Sequence, residues 1–312
     1  MTPVLLRELV AAARFSPNVH NVQPTRWRLE PDGAVSVLDA ADRRLPAGDP
    51  TGRDALASHG AAVEGFALAA SLHGLAVDVD HPPDAVARLT VRPGAEPDPL
   101  AAFLTTRRTW RGGFRPTPPP AALAGLMLVT DPGRIAHLAR LNDAASLRSF
   151  RRRDFRAELL AWMRLSRRHP DWSRDGLNAE AMSMSPLAAA GAAVALRPGV
   201  FEALDRLGLG PALAGEAAVV RSACALGVLT AARDEPPFAM GRRWHRAWLE
   251  ITRLGLAAAP MTVLGDDPQA AAEVAQLIGL PPHERVVTVM RMGVPDGEPA
   301  APARLPVDEL IV

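Results

Sequence analysis

The chain contains neither lysine nor tyrosine. All 35 basic residues among its 312 are arginine, and its tyrosine count is zero. Schiff-base chemistry, pyridoxal phosphate and the phosphate-binding P-loop each depend on a lysine, and a tyrosine general acid is excluded as well. Any anion must therefore be held by arginine side chains, backbone amides or helix N-termini.

Cysteine and metal-ligand patterns are also scarce. Cys224 is the only cysteine, so no internal disulfide can form. Its setting, VVRSACALGVLTAA, is typical of an apolar helix face and predicts a buried structural thiol. The eight histidines show no metal-ligand spacing, so we expect no metal site.

Long apolar runs and an excess of one charge are absent too. No run reaches the roughly 18 to 20 apolar residues of a membrane span, and the start MTPVLLRELVAAAR lacks the pattern of a signal peptide. The net charge of +1, from 35 basic and 34 acidic residues, provides no basic footprint for nucleic acid. We therefore expect a globular cytoplasmic protein of about two domains that binds neither membranes nor nucleic acid.

The spacing of the apolar residues predicts a mixture of helices and strands. Helices are expected over 3–14, 54–74, 133–168, 215–232 and 241–258, and strands over 25–30, 34–40, 75–80, 87–92 and 284–293. Residues 92–99 are typical of a linker. The segment 169–200, rich in Gly, Pro, Ser and Met, is typical of a cover or lid.

The stretch SPNVHNVQP, residues 16–24, has neutral amides and one histidine between two prolines. Amide groups have a donor end and an acceptor end, so they can match a flat heterocycle that alternates C=O and N–H along one edge. The alternative is that Asn18 and Asn21 cap a turn by bonding the local backbone, which asparagine often does. His20 either faces the heterocycle or packs behind the loop, and we expect it to pack behind the loop.

A second polar patch is TTRRTWRGGF, residues 105–114. Its arginines and threonines have the hydrogen-bond donors of a phosphate cradle, and the alternative is a solvated basic turn. RRTWRGGF resembles the RRSxRxF-type segment of nitroreductase-like flavoproteins, and SPNVHNVQPTRW resembles their APSxxNxQPW segment, although the order here is reversed. Together with RRLPAGDPTGRD (43–54), the reversal resembles the fused, double-domain Acg-like branch of that family.

The resemblance implies an α+β, nitroreductase-like fold in which two fused halves form a pseudo-dimer within one chain. The first half would be residues 1–96, with the ring-contacting loop 16–24. The second half would be residues 97–312, with the cradle 105–114 and the lid-like segment 169–200. The fused unit would be a monomer, or would associate further as a homodimer.

The resemblance also implies a site for FMN built from matching positions. Arg107, Arg108, Thr109 and Arg304 would hold the phosphate, and Arg111 would lie near N1 and O2 of the flavin ring. The other contacts would come from the opening loop and from LGLAAAPMTVLGD (254–266), namely Asn18, Val19, Asn21, Pro260, Met261, Thr262 and Val263. Thr25 and Asn18 depart from the usual tryptophan and serine of the family.

The implied activity is FMN-dependent oxidoreduction, with hydride transfer through flavin N5 to or from a small organic substrate. No side-chain acid or base is expected to be catalytic, and NAD(P)H is the expected donor. The alternative is a protein that stores or sequesters FMN beneath an occluding lid. Because the first half has RELVAAAR where a cradle would be, one FMN per chain is expected.

Overall fold

Two antiparallel sheets, with helices packed against them, organise the chain. The computed structural model describes residues 1–312. The mixture of separate helical and sheet regions confirms the predicted α+β class. The fused arrangement of two halves and their boundary near residue 96 stay predictions.

The first sheet has the strand order β1-β2-β4-β3, and all its pairings are antiparallel. Its elements are α1 (Pro3–Ala13), β1 (Thr25–Leu29), β2 (Val35–Asp39), α2 (Arg53–Ser71), β3 (Leu75–Asp80) and β4 (Ala87–Pro93). Thr2 caps α1, since its hydroxyl accepts from the Leu5 N–H at 3.2 Å. The predicted hairpin of β1 and β2 is confirmed, with Gly33 at φ +83° in its turn.

The second sheet is formed by strands from distant parts of the chain, in the order β10-β11-β9-β6, with β5 paired to the end of β11. Its strands are β5 (Phe114–Arg115), β6 (Met127–Val129), β9 (Ala225–Ala232), β10 (Ala257–Met261) and β11 (Glu284–Pro295). The helices here are α3 (Pro132–Arg151), α4 (Arg153–Trp162), α8 (Ala217–Arg221), α9 (Pro237–Arg253), α10 (Val263–Asp266) and α11 (Pro268–Ile278). The predicted strand over 284–293 is confirmed.

The helix predicted over 215–232 is wrong. Only Ala217–Arg221 is helical there, and Ala225–Ala232 is the strand β9, which pairs with β11 on one side and β6 on the other. A central strand buried on both faces has a continuous apolar run, which periodicity cannot distinguish from a buried helix. Cys224 accordingly precedes a strand and is half-buried, so its expected full burial on a helix is wrong as well.

Helices α2 and α9 cross at two glycines and join the two sheet regions. A Cβ placed on Gly60 would lie 1.9 Å from the Phe238 carbonyl oxygen, and one on Gly241 would lie 2.0 Å from the Ala57 carbonyl oxygen. The helices can approach this closely only because both positions lack a side chain. The helix predicted over 241–258 starts earlier and ends at Arg253, before β10.

The C-terminal residues return to the first sheet. The Trp27 N–H donates to the Leu310 carbonyl at 2.8 Å, and the Val312 N–H donates to the Trp27 carbonyl at 2.9 Å. Leu305 and Leu310 belong to the same apolar core as α1 and α2. The last residues of the chain thus pack with its first hundred, and residues 300–304 are held beside the end of α1.

The segment predicted as a lid is partly an ordered wall and partly a helical excursion. Within 169–200 lie β8 (Leu177–Asn178), which pairs with β7 (Met163–Arg164), and α5 (Pro186–Ala195). The helical part continues beyond the predicted segment with α6 (Val200–Arg206) and α7 (Gly210–Ala214). No single helix of the chain has both the length and the apolar composition of a membrane span. Helices α5 and α6 have that length and composition only when they are counted together, and a 94° bend separates them.

Candidate functional site

One cavity of about 290 Å³ brings the two predicted polar patches together. It lies between the loop 16–24, the segment 107–111, helix α9, the end of β10 and the tail 300–304. Ten of the twelve predicted site residues line it: Asn18, Val19, Asn21, Arg107, Arg108, Thr109, Arg111, Pro260, Thr262 and Arg304. Residues more than eighty positions apart in the sequence therefore share one site.

The cradle arginines converge on the C-terminal end of helix α1. Arg107 Nη2 donates to the Phe15 carbonyl at 2.7 Å, and Arg304 Nε donates to the Arg14 carbonyl at 2.7 Å. The last carbonyls of a helix have no intrahelical donor and carry partial negative charge, so they hold guanidinium groups well. The end of helix α1 thus holds Arg107 and Arg304 close to each other.

None of the arginines that line the cavity has a carboxylate partner. Arg107, Arg108, Arg111 and Arg304 form no ion pair, and neither does Arg14 next to them. Burial, together with Arg304 and Arg108, holds the pKa of Arg107 well below its ordinary value. Burial, with Arg108 and Arg14, lowers the pKa of Arg304 to about 10. The arginine cluster therefore carries positive charge that no carboxylate balances.

Arg107 also has unused hydrogen-bond donors. Its side chain is buried, 3% exposed, and its Nε and Nη1 have no partner. Its guanidinium lies over the ring of Trp248, with 4.5 Å between Cζ and the ring centroid. A buried donor without an acceptor costs about 1 to 3 kcal/mol. An anion in the cavity would supply the missing negative charge.

Arg111 lies at another part of the cavity wall. Its Nη1 donates to the Ala181 carbonyl at 3.2 Å. Burial lowers its pKa to about 10, an effect that Glu216 opposes and Arg291 reinforces. Arg291 is paired with Glu216 at 2.7 Å, so Arg111 has no ion pair of its own.

The amides of the opening loop are bonded to the backbone. Asn18 Oδ1 accepts from the Gln23 N–H at 2.8 Å, and its Nδ2 donates to the Ser16 carbonyl at 3.2 Å. Asn21 Nδ2 donates to the carbonyls of Gly176 and Ala303 at 3.1 and 3.0 Å. The turn-capping alternative therefore describes Asn18, whose partners are local. Asn21 instead bonds distant residues, since its Oδ1 also accepts from Arg304 Nη1 at 2.7 Å. Both residues line the cavity.

The loop has an unusual backbone that these bonds stabilise. Three of its non-glycine residues have positive φ, which are His20 at 45°, Asn21 at 56° and Gln23 at 54°. This region costs about 1 to 2 kcal/mol for each residue with a Cβ. The expectation that His20 packs behind the loop is wrong, since His20 lines the cavity.

The first part of the lid-like segment is a fixed wall of the site. The Gly176 N–H donates to the Asn21 carbonyl at 3.1 Å, and Gln23 Nε2 donates to the Arg174 carbonyl at 2.8 Å. The buried Asp175 pairs with both Arg43 at 2.9 Å and Arg164 at 2.7 Å. Residues 173–181 are therefore tied to the opening loop and to the arginine that follows β2.

Two predicted residues do not line the cavity. Met261 is buried in the core beneath the second sheet, and Val263 faces a neighbouring cavity. Successive residues of a strand point to opposite faces, so Pro260 and Thr262 face the site while Met261 does not. The turn itself is tightly packed, because a Cβ on Gly265 would lie 2.1 Å from the Val287 carbonyl oxygen.

Sequence reasoning missed several wall residues. They are Gly176, Leu177, Asn178, Ala181, Trp244, Trp248 and the tail residues Ala300 to Ala303. The spacing of Trp244 and Trp248, four positions apart on α9, was an available signal because such residues share a helix face. Their rings lie 5.6 Å apart. No sequence signal marks the tail, which reaches the site only through tertiary packing.

No group of three or more His, Cys, Asp or Glu side chains is arranged to hold a metal ion. His245, which is fully buried, lies under the cradle, and its Nδ1 is 2.7 Å from the Ala61 carbonyl while its Nε2 has no partner. Burial, then the charge of Arg107, lowers the pKa of His245 to about 3. His245 is therefore neutral wherever the protein is folded near neutral pH.

Because His245 is neutral in the folded protein, the free energy of unfolding is expected to decrease as the pH is lowered. In the unfolded chain His245 takes up a proton below about pH 6.5, whereas in the folded chain it does so only near pH 3. As the pH is lowered from 6 to 4, protonation of His245 in the unfolded chain is therefore expected to reduce the free energy of unfolding by about 1.4 kcal/mol per pH unit. Urea unfolding of the wild type and His245→Gln at pH 7.5, 6, 5 and 4 measures it. Parallel curves for the two proteins would contradict this assignment.

Comparison with known proteins supports the resemblance. No family model matches the chain. A Mycobacterium tuberculosis protein named "Putative NAD(P)H nitroreductase Rv3131" is 31% identical over 131 residues, which is 39% of this chain and 38% of that protein. "Putative NAD(P)H nitroreductase acg" of the same organism is 34% identical over 84 residues, 27% of this chain and 25% of that protein. The chain thus spans less than two fifths of the curated relatives that it matches.

Solved structures overlap the chain only loosely. Iodotyrosine deiodinase bound to FMN and 3-iodo-L-tyrosine has a TM-score of 0.38 and 15% identity, covering 65% of this chain and 92% of that one. A Bacteroides fragilis nitroreductase with bound FMN has a TM-score of 0.38 and 12% identity, covering 67% and 95%. TM-scores and identities this low show nothing about the activity of this chain. The curated relatives confirm the resemblance to the nitroreductase-like family that the two motifs indicated.

Proposed function

We propose that the chain is an FMN-dependent oxidoreductase of the nitroreductase family, acting on a small organic substrate with NAD(P)H as electron donor. One observation carries the proposal, namely the excess of arginine around a cavity that also has aromatic walls. The curated relatives are named as NAD(P)H nitroreductases, which agrees with this choice.

The residues present fit the phosphate end of FMN. Arg107 has two unused donor atoms inside the cavity wall, and Arg108 and Arg304 lie close enough to lower its pKa. Charged hydrogen bonds from guanidinium to phosphate are among the strongest in proteins. The hydroxyl of Thr109, on the same segment, is available as a further donor. The phosphate would be held at the end of α1.

The residues also fit a flat ring. The cavity, at about 290 Å³, is just below the range of roughly 300 to 1,000 Å³ typical of ligand sites. Arg111 would place a permanent cation near the pyrimidine edge of the ring, and the amides of Thr262 and Val263 begin α10, where first-turn N–H groups lack intrahelical acceptors. Asn18, Val19 and Asn21 would contact the ring mainly as a shaped surface, and Pro260 is a further residue of the cavity wall.

When bound, FMN supplies two-electron chemistry by hydride transfer at its N5. The chain's own contribution is to bind and orient. The cation of Arg111 would stabilise negative charge on a bound ring system, and it is present near neutral pH because that pH is well below its pKa of about 10. Trp244 and Trp248 narrow the cavity and exclude water from its wall. The proposal requires no lysine or tyrosine.

The proposed stoichiometry is one FMN per chain, since the arginine cluster occurs once. The purified protein is expected to be yellow, with an absorbance band at about 450 nm. Flavin released by denaturation should amount to one equivalent, and anaerobic mixing with NADPH should bleach the band. A colourless protein that takes up no added FMN would overturn the proposal, and two equivalents per chain would overturn the single site.

FMN storage is the second candidate, because residues 173–181 form a fixed wall over the opening loop. A permanently closed wall would keep a nicotinamide away from the ring. The anaerobic experiment separates the two candidates: a bound flavin that neither NADPH nor NADH bleaches favours storage. A dehydrogenase that oxidises its own substrate would also resist NADPH, but its flavin would bleach on addition of that substrate.

A further inference from the structure

Helices α5, α6 and α7 form an excursion, residues 186–213, that leaves much apolar surface exposed. Five of the eleven large apolar side chains that are exposed in the whole chain lie within it: Leu187, Val194, Leu207, Leu209 and Leu213. Leu187 is 84% exposed and Leu207 is 75% exposed. Single exposed leucines are ordinary in proteins, whereas several in one segment are typical of an interaction surface.

Helix α5 is apolar on every side but is covered on only one. All its residues are Pro, Leu, Ala, Gly or Val. Ala189 is buried, and so is Leu196 just after the helix, which packs in a small core with residues of α4. The opposite face exposes Leu187, Ala190 and Val194, at spacings of three and four. A helix that is apolar all round is ordinarily covered on all sides, so this face lacks a partner.

An arginine accompanies the exposed apolar residues of both α5 and α6. Arg197 lies three positions beyond Val194, on the same face of α5, and Arg206 adjoins Leu207 at the end of α6. Both arginines are exposed, and neither forms an ion pair. An arginine at the edge of an apolar surface can lay its methylene groups on that surface while its guanidinium reaches a polar layer.

The carboxylates of the excursion are already paired. It has two, Glu202 and Asp205. Glu202 pairs with Arg156 of α4, and Asp205 forms a bidentate pair with Arg151 of α3 at 2.9 and 3.2 Å. The unpaired charge of this surface is therefore positive and comes only from its two arginines.

We propose that the excursion binds the surface of an anionic lipid membrane, with its exposed leucines and Val194 in the interface and Arg197 and Arg206 at the lipid phosphates. Apolar side chains edged by cations, with no free carboxylate, complement a surface that is apolar inside and negative outside. A second copy of the chain fits less well, because a two-fold contact sets the same surface, with its unpaired arginines, against itself. The sequence predicted no membrane binding because it has no spanning run, but interfacial binding needs none.

Sedimentation with lipid vesicles tests the proposal on the full chain, without added flavin. Vesicles of phosphatidylcholine and phosphatidylglycerol in equal amounts should bind the protein. Vesicles of phosphatidylcholine alone should bind it on the order of 20-fold more weakly, at about fivefold for each arginine. High salt should remove most of this difference. No binding to the mixed vesicles, or equal binding to both kinds, would overturn the proposal.

Substitution of the two most exposed leucines tests the apolar contact. Leu187→Gln combined with Leu207→Gln should weaken binding to both kinds of vesicle by about tenfold or more, because two apolar side chains are lost from the interface. Glutamine is a good helix former, so the fold should be kept, which circular dichroism checks. Val4→Gln combined with Leu72→Gln is the matched control, since these side chains are 68% and 57% exposed outside the excursion. The control should bind as the wild type does.

Arg197→Gln combined with Arg206→Gln separates charge from apolar contact. This variant should bind both kinds of vesicle alike, as weakly as the wild type binds phosphatidylcholine, and an unchanged preference for the mixed vesicles would contradict the proposal. Sedimentation equilibrium without lipid tests the competing occupant. A wild-type dimer that the double leucine variant converts to a monomer would assign the surface to a second copy, and equal losses of lipid binding in the leucine and control variants would also refute the assignment.

Discussion

Replacing Arg107 and Arg108 together by glutamine is expected to raise the dissociation constant of FMN by at least about 100-fold. Each charged hydrogen bond to the phosphate contributes on the order of 1.5 to 3 kcal/mol, so two lost bonds amount to a factor of about 10² to 10⁴. Titration of the flavin-free variant with FMN, followed by calorimetry or absorbance, measures the change.

The folded state should survive this double substitution. Glutamine at position 107 retains an N–H group for the Phe15 carbonyl, and removing two cations relieves repulsion with Arg304 and Arg14. The unfolding temperature of the flavin-free protein is therefore expected to stay within a few degrees. Arg153→Gln is the matched control, because that arginine is exposed and has no ion pair. A double variant that remains yellow through gel filtration would refute the cradle.

The sequence was most informative where local chemistry determines the outcome. The hairpin, the helix over 54–74 and the strand over 284–293 follow from turn residues and apolar periodicity, and all three are present. The strand β9 was mistaken for a helix because ALGVLTAA has a single polar residue, Thr230, which is too few to show either a helical or a strand period. Its identity depends on two neighbouring strands, β11 and β6, that local sequence does not reveal.

The candidate site was likewise predictable from the sequence only in part. Arginine pattern and resemblance indicated that Arg107 and Arg304 belong together, and α1 does bring them to one place. The individual hydrogen bonds could not be predicted from the sequence. Whether Asn21 bonds a ligand or a backbone carbonyl depends on the positions of Gly176 and Ala303 in the fold. Such contacts across hundreds of residues are set by tertiary packing, which no local pattern encodes.

Gly241→Ala is expected to destabilise the fold by about 3 kcal/mol or more. The new methyl group would lie 2.0 Å from the Ala57 carbonyl oxygen, and a backbone atom cannot move aside unless α2 and α9 separate. Overpacking of a tight core costs about 1 to 3 kcal/mol, and sometimes more. Because α9 carries Trp244 and Trp248, the separation should also weaken FMN binding. Thermal unfolding with and without FMN measures both effects.

Gly191→Ala is the matched control, since Gly191 lies inside the exposed helix α5 and a Cβ there would meet nothing within 4 Å. Alanine is the better helix former by up to about 1 kcal/mol, so this variant should be slightly more stable than the wild type and bind FMN equally well. The two substitutions add the same methyl group to helical glycines and are expected to act in opposite directions. Equal unfolding temperatures for the two variants would mean that α2 and α9 do not cross in contact at Gly241.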